Sequence, residues 1–444
     1  MRKYLLALAV ALLAASLAAP SYAADFKYTG IFRIRGITAE DLDRNENLHD
    51  GFQYYDALVR PRFTATSEGG RIWAIYELDY NSGLGGVGSG GANHLFGSTT
   101  GDAVAAVNRW LIDFAVPGTT LRARVGRTDY TDPTSEIFDS NGLHRQDGLA
   151  LYGRLFGPVS LSVFTVKLSE GLTAATDSDN YYLALKWQAA PQIAITPWFG
   201  VSRRNGTTAA TDYSRYYYAL HGQAKLGILD LELQGIYENG THAENGGVGG
   251  RDIDLDAYAL LLRSWLTFGK LKLGFYLTWL SGEDNPDNND FEGFVFPTQA
   301  GALDIPNIIT GVRYSTITRA QTGATGNNLS SASGIGTGTC TQASCRANGL
   351  LVPELLAVFQ VTPALDIVGN ISYVESAEKI TSDGFTNDKD VGWVFEAGLK
   401  WKIYKQLALW GFGSYLSAGD YGKIEGGRAP DDAWALYYEL RHTW

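Results

Sequence analysis

The chain has little of what helical membrane proteins and metal or thiol enzymes are built from. Its 444 residues include only two Cys, one Met and six dispersed His. After residue 23, no run approaches the ~20 consecutive apolar residues of a membrane-crossing helix, which excludes a helical bundle. Aromatic and aliphatic residues occur throughout, which excludes disorder. The net charge of −11 argues against a nucleic acid partner.

Glycine and aromatic residues are abundant instead, with 52 Gly, 25 Tyr, 19 Phe and 11 Trp. Strong helical periodicity is rare, so the composition points to β structure. At the start of the chain, Arg2 and Lys3 precede a run without charge from Tyr4 to Ala19, and a small residue follows at Ala23. This pattern predicts a secretory signal peptide over residues 1–23 rather than a membrane anchor. The mature chain, residues 24–444, is then expected to form one domain.

Apolar and polar residues alternate along the whole mature chain. Leu271, Leu273, Phe275, Leu277 and Trp279 fall on one face of a strand, and Lys270, Lys272, Gly274, Tyr276 and Thr278 fall on the other. The same pattern recurs over residues 72–80, 229–238 and 393–403. A period of two predicts strands with one apolar and one polar face. Such strands also build secreted β-sandwiches, but here four or five large apolar residues recur in strand after strand.

The connections between these strands alternate between short and long. Tight turns are expected at 67–70, 117–119, 156–158, 189–192, 227–230, 268–270, 361–364 and 404–406. Long polar stretches lie at 39–52, 81–104, 128–147, 169–180, 203–213, 239–251, 282–349, 376–390 and 418–431. An open sheet edge is not tolerated in hydrocarbon, so these strands must close on themselves. The pattern predicts an all-β fold, a transmembrane antiparallel up-and-down β-barrel of about 18 strands, with short periplasmic turns and long extracellular loops.

The C-terminal segment ends on an aromatic residue and carries one apolar face. That face consists of Trp434, Leu436, Tyr438, Leu440 and Trp444. It resembles the assembly signal of outer-membrane barrel proteins, which the barrel-assembly machinery reads as an added strand. The resemblance implies export to the outer membrane of a Gram-negative bacterium.

Arginines occur as same-face pairs on the early strands. The pairs are Arg33 with Arg35, Arg60 with Arg62, and Arg122 with Arg124. A barrel of 16–18 strands encloses a water-filled channel, so we expect these arginines to line a pore. The third long stretch contains Asp129, Asp132, Glu136 and Asp139. In the alternative interpretation, the arginines pair with acids of neighbouring strands, such as Asp56, Glu77, Asp79 and Asp113.

Here the chain resembles the Gram-negative porin superfamily, whose third loop folds into the barrel so that its acids face basic wall residues. The resemblance implies a channel for passive diffusion of ions and small hydrophilic solutes, not an enzyme, without cofactor. It also implies a homotrimer in contact with outer-membrane lipid and lipopolysaccharide. One alternative is a channel selective for anions or carboxylates, since arginine suits oxyanions. Another is a barrel enzyme or a partner of a periplasmic electron-transfer complex.

Cys340 and Cys345 lie five positions apart in a Ser/Thr/Gly-rich stretch. In an exported protein this spacing predicts a local disulfide that closes a loop. A metal site would need more ligands than the neighbourhood supplies. The acidic stretches 43–47 and 284–290 lack the glycine and terminal glutamate of a calcium loop, so we interpret them as solvated loops and expect no metal.

Overall fold

The computed structural model describes the strands and the beginnings of several long connections. The described residues are 25–40, 52–83, 104–134, 146–169, 177–205, 212–244, 251–283, 289–296, 349–379, 381–382, 385–386, 389–420 and 432–444. The predicted signal peptide, Glu136, Asp139, Cys340 and Cys345 lie outside them. Within these ranges, no helix has the length and apolar character needed to cross a membrane.

The fold consists of strands with one short 3-10 turn at Glu68–Gly70. The strands are β1 (Asp25–Glu40), β2 (Phe52–Thr66), β3 (Ile72–Gly83), β4 (Val104–Ala115), β5 (Leu121–Thr128), β6 (Gln146–Phe156), β7 (Val159–Ser169), β8 (Ser178–Ala190), β9 (Ile193–Arg204), β10 (Tyr213–Leu226), β11 (Leu229–Ala243), β12 (Ile253–Phe268), β13 (Leu271–Leu280), β14 (Asp290–Phe291), β15 (Leu350–Thr362), β16 (Leu365–Glu375), β17 (Thr381–Ser382), β18 (Phe385–Thr386), β19 (Asp390–Tyr404), β20 (Leu407–Ala418) and β21 (Ala433–Thr443).

Eighteen of these strands form one closed antiparallel barrel. Each pairs with the next long strand along the chain, so β13 pairs with β15 and β16 pairs with β19. The circle closes where β1 pairs with β21. Of the three two-residue strands, β14 adds to the end of β12 in parallel, and β17 and β18 pair only with each other. The predicted fold class and strand count are confirmed.

Connections of two to five residues join the strands at one rim, and the long connections lie at the other. Each predicted tight turn coincides with a short connection. Glycines with positive φ stand in several of them, including Gly118, Gly157 and Gly227, because a tight turn needs a left-handed residue there.

The outer face of the barrel is apolar. Phe63, Ile112, Leu149 and Leu183 are between 43% and 52% exposed, and they alternate with inward residues that are polar or packed. Their exposure follows from the strand period, since every second side chain must point away from the lumen. Such a surface is stable only against lipid, because in water the continuous apolar band would remain exposed to solvent.

Close packing of aromatic rings on glycines marks the closing seam between β1 and β21. A Cβ atom on Gly30 would lie 2.2 Å from the Trp444 ring, and one on Gly36 would lie 2.5 Å from the Tyr438 ring. The Gly30 and Trp444 backbones also exchange hydrogen bonds of 3.1 and 3.2 Å. The two glycines therefore make room for the rings that cover the seam.

Apolar side chains also point inward along one part of the wall. On β12, Leu255, Ala257 and Ala259 are buried inside, whereas Asp254 and Asp256 are exposed outside. At this end of β12, apolar side chains thus point inward and polar ones outward, the reverse of the pattern elsewhere in the barrel. The reason is that residues 289–296 lie inside the barrel, with Phe291 and Phe294 each 1% exposed. The inner wall of β12 therefore faces a packed core rather than water.

Candidate functional site

Strands β2 and β3 carry two ion pairs on the inner wall. Arg60 donates through Nε and Nη2 to the two carboxylate oxygens of Asp79, at 2.5 and 2.6 Å. Arg62 Nε lies 2.5 Å from Glu77 Oε2, and Asn108 donates to the other Glu77 oxygen at 2.8 Å. Both acids are buried, so each pair holds a charged group that water cannot reach. Each arginine thus has a carboxylate of its own, and both pairs are close to neutral.

Asp113 on β4 serves two arginines at once. Its side chain is fully buried and accepts hydrogen bonds from Arg122 Nε at 2.6 Å and from Arg124 Nε at 3.0 Å. The Tyr152 hydroxyl on β6 donates to the same carboxylate. Two guanidinium groups therefore share one negative charge. This cluster keeps a net positive charge on the inner wall, unlike the two pairs on β2 and β3.

Arg33 and Arg35 lie beside the closing seam. The register places Arg33 opposite Arg441 and Arg35 opposite Glu439 on β21. Arg441 lies 2.6 Å from the buried Glu439. On the other side of β1, the register places Arg35 opposite residue 56 of β2. The seam thus extends the arginine-bearing side of the wall from β5 through β1 to β21.

The first residues of the third long connection lie inside the barrel. Asp129 forms an ion pair with Arg109 on β4, whereas Asp132 is 3% exposed and accepts from Gln234 on β11 at 3.2 Å. Since β11 is six strands from β5, the chain crosses the interior to reach it. Tyr130 is buried and donates to the Gly126 carbonyl oxygen at 2.8 Å. Burial raises the pKa of Tyr130 above its ordinary value, which keeps this donor protonated.

An aromatic cluster covers the neighbouring part of the wall, on β7–β9. Phe164 stacks on Tyr182 with ring centres 4.4 Å apart, and Trp198 follows at 5.6 Å. Tyr130 packs against Phe164 at 5.6 Å. All four side chains are at most 5% exposed. The first inward segment is therefore fixed to β7, β8 and β9 by apolar packing as well as by the Gln234 contact.

The second inward segment, residues 289–296, is held by its backbone. The Tyr217 hydroxyl donates to the Val295 carbonyl oxygen at 2.9 Å, and Glu238 accepts from the Val295 N–H at 2.9 Å. Phe291 stacks on His242 with centres 4.1 Å apart. Both inward segments are thus attached to strands β7–β12. On the arginine-bearing strands, Arg60 and Arg124 keep side-chain exposures of 21% and 23%.

The barrel resembles solved structures at low sequence identity. No protein-family model and no curated protein matches its sequence. A BenF-like porin from Pseudomonas fluorescens Pf-5 superposes with a TM-score of 0.58 at 11% identity, over 95% of this chain and 99% of that one. OpdK, an outer membrane protein of Pseudomonas aeruginosa that was solved with vanillate, superposes with a TM-score of 0.56 at 12% identity, over 95% of this chain and 99% of that one. OccK2 (OpdF) of the same species, solved with glucuronate, has a TM-score of 0.57 at 12% identity, over 94% of this chain and 98% of that one. The chain has the fold of an outer-membrane porin.

Within this porin barrel, one row of side chains joins the two sides of the wall. The register places Asp113, Arg124, Ala150, Phe164, Tyr182, Gly200, Tyr217 and Glu238 directly opposite one another across successive strands. Along the row, charged residues give way to aromatic ones after the small Ala150. The porin wall thus changes from a polar to an apolar surface within a few strands.

In this porin barrel, Arg60, Arg62, Arg122 and Arg124 contact wall acids, as in the alternative interpretation of the sequence. Glu77, Asp79 and Asp113 are those acids, and of the loop acids the described Asp129 joins them through Arg109. In the described ranges, no three His, Cys, Asp or Glu side chains are arranged as a metal site. At the seam, Trp434, Leu436, Tyr438 and Leu440 alternate with buried residues on β21, and Trp444 follows that strand.

Three residues of this porin wall are not identified by the sequence analysis. They are Arg109, Trp73 and Tyr152, which contact Asp129 and Arg124. A signal exists for Trp73, since it falls on the same strand face as Glu77 and Asp79. A large aromatic residue on a polar face indicates a packed contact inside the barrel. Strand period alone cannot supply the partner, because that depends on the register between strands.

Proposed function

We propose that the chain is an outer-membrane channel through which ions and small hydrophilic solutes diffuse passively. One observation carries the proposal: a closed barrel with an apolar outer face encloses a wall of arginines and carboxylates. Charged side chains on the inside of a membrane-spanning wall are costly unless they face water or one another. The porin fold favours a channel over an enzyme, and we assign the chain no catalytic role.

The test is conductance in a planar lipid bilayer with the purified, refolded barrel. We expect discrete current steps whose size grows linearly with voltage. The folded state is checked beforehand by its faster migration in an unheated gel. A correctly folded barrel that inserts and gives no current steps would contradict the proposal and would favour an enzyme or a structural partner.

A narrowed pore is part of the same proposal. We propose that the third long connection, with Asp129, Asp132, Glu136 and Asp139, forms the constriction together with Arg33, Arg35, Arg60, Arg62, Arg122 and Arg124. The position of residues 129–134 inside the barrel supports it. Opposed charges across a narrow passage orient water and favour polar over apolar solutes. Deletion of residues 135–145 should raise the single-channel conductance, and an unchanged conductance would count against this part.

A preference for organic anions is the second candidate function. It is favoured by Asp113, whose single carboxylate serves two arginines and leaves positive charge on the wall. Vanillate and glucuronate, bound in the two structures named above, are both carboxylates. In a salt gradient of KCl, the reversal potential should show that chloride permeates better than potassium. A cation-preferring channel would exclude this candidate and leave the general channel intact.

The remaining expectations concern assembly and surroundings. We propose that a signal peptide over residues 1–23 directs export, that the barrel-assembly machinery reads the face ending at Trp444, and that the folded barrel contacts lipid and lipopolysaccharide. We also propose a homotrimer. The apolar outer face supports contact with lipid, and chemical cross-linking in native membranes tests the oligomer, where a single monomer band would contradict it.

A further inference from the structure

A row of polar side chains crosses the inner wall from β10 to β13, near the rim of short turns. Its members, directly opposite one another on successive strands, are Gln223, Glu232, Arg263 and Tyr276. Gln223 Nε2 donates to Glu232 Oε1 at 3.0 Å, and Arg263 Nη1 donates to Glu232 Oε2 at 3.5 Å. His221 Nε2 lies 2.9 Å from Oε1 of the same carboxylate. This polar row therefore presents both hydrogen-bond donors and acceptors in planar groups.

Trp265 lies flat on the wall beside the polar row. Its register partner on β13 is Gly274. A Cβ atom on Gly274 would lie 2.9 to 3.0 Å from three neighbouring atoms of the indole ring, so the glycine backbone covers one face of that ring. The indole N–H donates to the Tyr276 hydroxyl oxygen at 2.9 Å, which fixes the edge of the ring. Because Leu266 at the next position points outward, the other face of the half-buried Trp265 is turned toward the lumen.

Two other tryptophans of the inner wall are in contact with cations. The Trp73 ring centre lies 5.3 Å from the Arg124 guanidinium carbon, and that of Trp410 lies 4.7 Å from the guanidinium carbon of Arg441. In the part of the chain that the structure describes, no cation lies over Trp265. The lumenal face of Trp265 is therefore suited to an uncharged ring rather than to a charged side chain.

The charges next to this ring balance one another. Arg263 lies beside Glu232, and Lys225 lies 3.5 Å from Asp230, which is the register partner of Trp265 on β11. Paired charges of this kind attract neither sign of ion strongly. In this respect the wall at β10–β13 differs from the arginine-bearing strands, and an uncharged solute is the one that it suits.

We propose that Trp265 and the polar row bind a neutral sugar ring on its way through the channel. The proposal rests on the channel function proposed above and adds a solute class to it. The C–H groups on one side of a pyranose ring are weakly positive and match the negative face of an indole. Sugar hydroxyls both donate and accept, so they match a carboxylate next to a guanidinium, and the charged partners strengthen these hydrogen bonds.

The test measures glucose binding to the refolded barrel in detergent by saturation-transfer difference NMR, and block of single-channel current by glucose in a planar bilayer. Sorbitol, an open-chain polyol without a ring face, is the comparison solute. We expect the wild-type barrel to bind glucose about fivefold more tightly than sorbitol. W265L keeps an apolar side chain and loses the ring face, so glucose binding should weaken about fivefold. E232Q keeps the shape and loses the charge, so glucose binding should weaken about tenfold.

W410L is the matched control. Trp410 also faces the lumen and lies three residues from a short turn, as Trp265 does, but its ring contacts Arg441. W410L should leave glucose binding unchanged. The inference is overturned if sorbitol binds as tightly as glucose, if W265L and E232Q bind glucose like wild type, or if W410L weakens binding as much as W265L.

The two readouts separate this inference from the channel function. Folded barrels that bind glucose through Trp265 and pass no current would refute the channel function and leave the sugar site in place. Current steps from barrels that do not bind glucose would refute the sugar site and leave the channel function in place.

Discussion

Replacing Asp113 with asparagine should increase the preference of the channel for anions. The wild-type carboxylate balances one of the two charges of Arg122 and Arg124, and the amide balances neither. For an ion passing about 8 Å away, one added positive charge is worth about 0.5 to 2 kcal/mol, depending on how much water screens it. The added charge stabilises chloride and destabilises potassium by the same energy, so the ratio of chloride to potassium permeability should rise by at least about fivefold.

The same substitution should weaken the fold to a limited extent. Asp113 is fully buried and accepts from three donors, so the amide loses charge-assisted bonds that it cannot replace. The two arginines are 27% and 23% exposed, and water in the lumen compensates them in part. We expect a loss of about 2 kcal/mol, below the cost of breaking a fully buried pair.

The assay is the reversal potential in a KCl gradient across a planar bilayer. The folded fraction is followed in parallel by the temperature at which the barrel loses its faster gel migration. D147N is the control, because Asp147 pairs with Arg127 and is 44% exposed at the start of β6. Removing the charge of Asp147 should leave the reversal potential unchanged. A D113N channel with wild-type selectivity, or one that shifts toward cations, would refute the reasoning from shared charge.

Three further changes test other parts of the structure. R60Q and D79N should shift the reversal potential in opposite directions and the double variant should restore it, because the two groups form one neutral pair; a double variant that keeps the shift of either single variant would contradict this. Y217F should increase open-channel current noise, since the Val295 carbonyl loses its donor at a cost of ~1–3 kcal/mol; quiet wild-type-like traces would oppose it. G36V should reduce the yield of folded barrel because a ring occupies that space, whereas G222V, with open space around it, should not; equal yields would contradict the seam packing.

The strand count could be predicted because lipid imposes a simple rule on the sequence. Each crossing strand must present apolar side chains on alternate positions, and segments such as Leu271–Leu280 follow that rule throughout. The turns could be predicted equally well, since short connections coincide with residues such as Gly118 and Gly157. Distances along the chain set both patterns, so no knowledge of the register was needed.

The partners of the wall residues could not be predicted in the same way. Whether Arg124 meets Asp113 depends on which residues of β4 and β5 lie opposite one another, and a shift by two positions would preserve the alternation while changing every pair. The third long connection raises a similar difficulty. Asp132 looks like a pore acid in sequence, yet Gln234 on a strand about a hundred residues later holds it against the wall.

Sequence alternation also misjudged the inside of β12. Its inner side chains are apolar because Phe291 and Phe294 from a distant connection pack inside the barrel. An inner wall is polar only where water reaches it, and a segment folded inward removes the water. Such a segment leaves no periodic signal of its own, since its burial is decided by tertiary contacts.

The seam between β1 and β21 has a consequence for how the protein reaches its final state. These two strands are the most distant in the chain, and their pairing over Ile31–Glu40 removes the last two free sheet edges together. Any chain that stalls before β21 is delivered keeps both edges open and cannot remain in lipid. Biogenesis should therefore be all-or-none, and partly delivered chains should be degraded by periplasmic proteases rather than accumulate as leaky half-barrels.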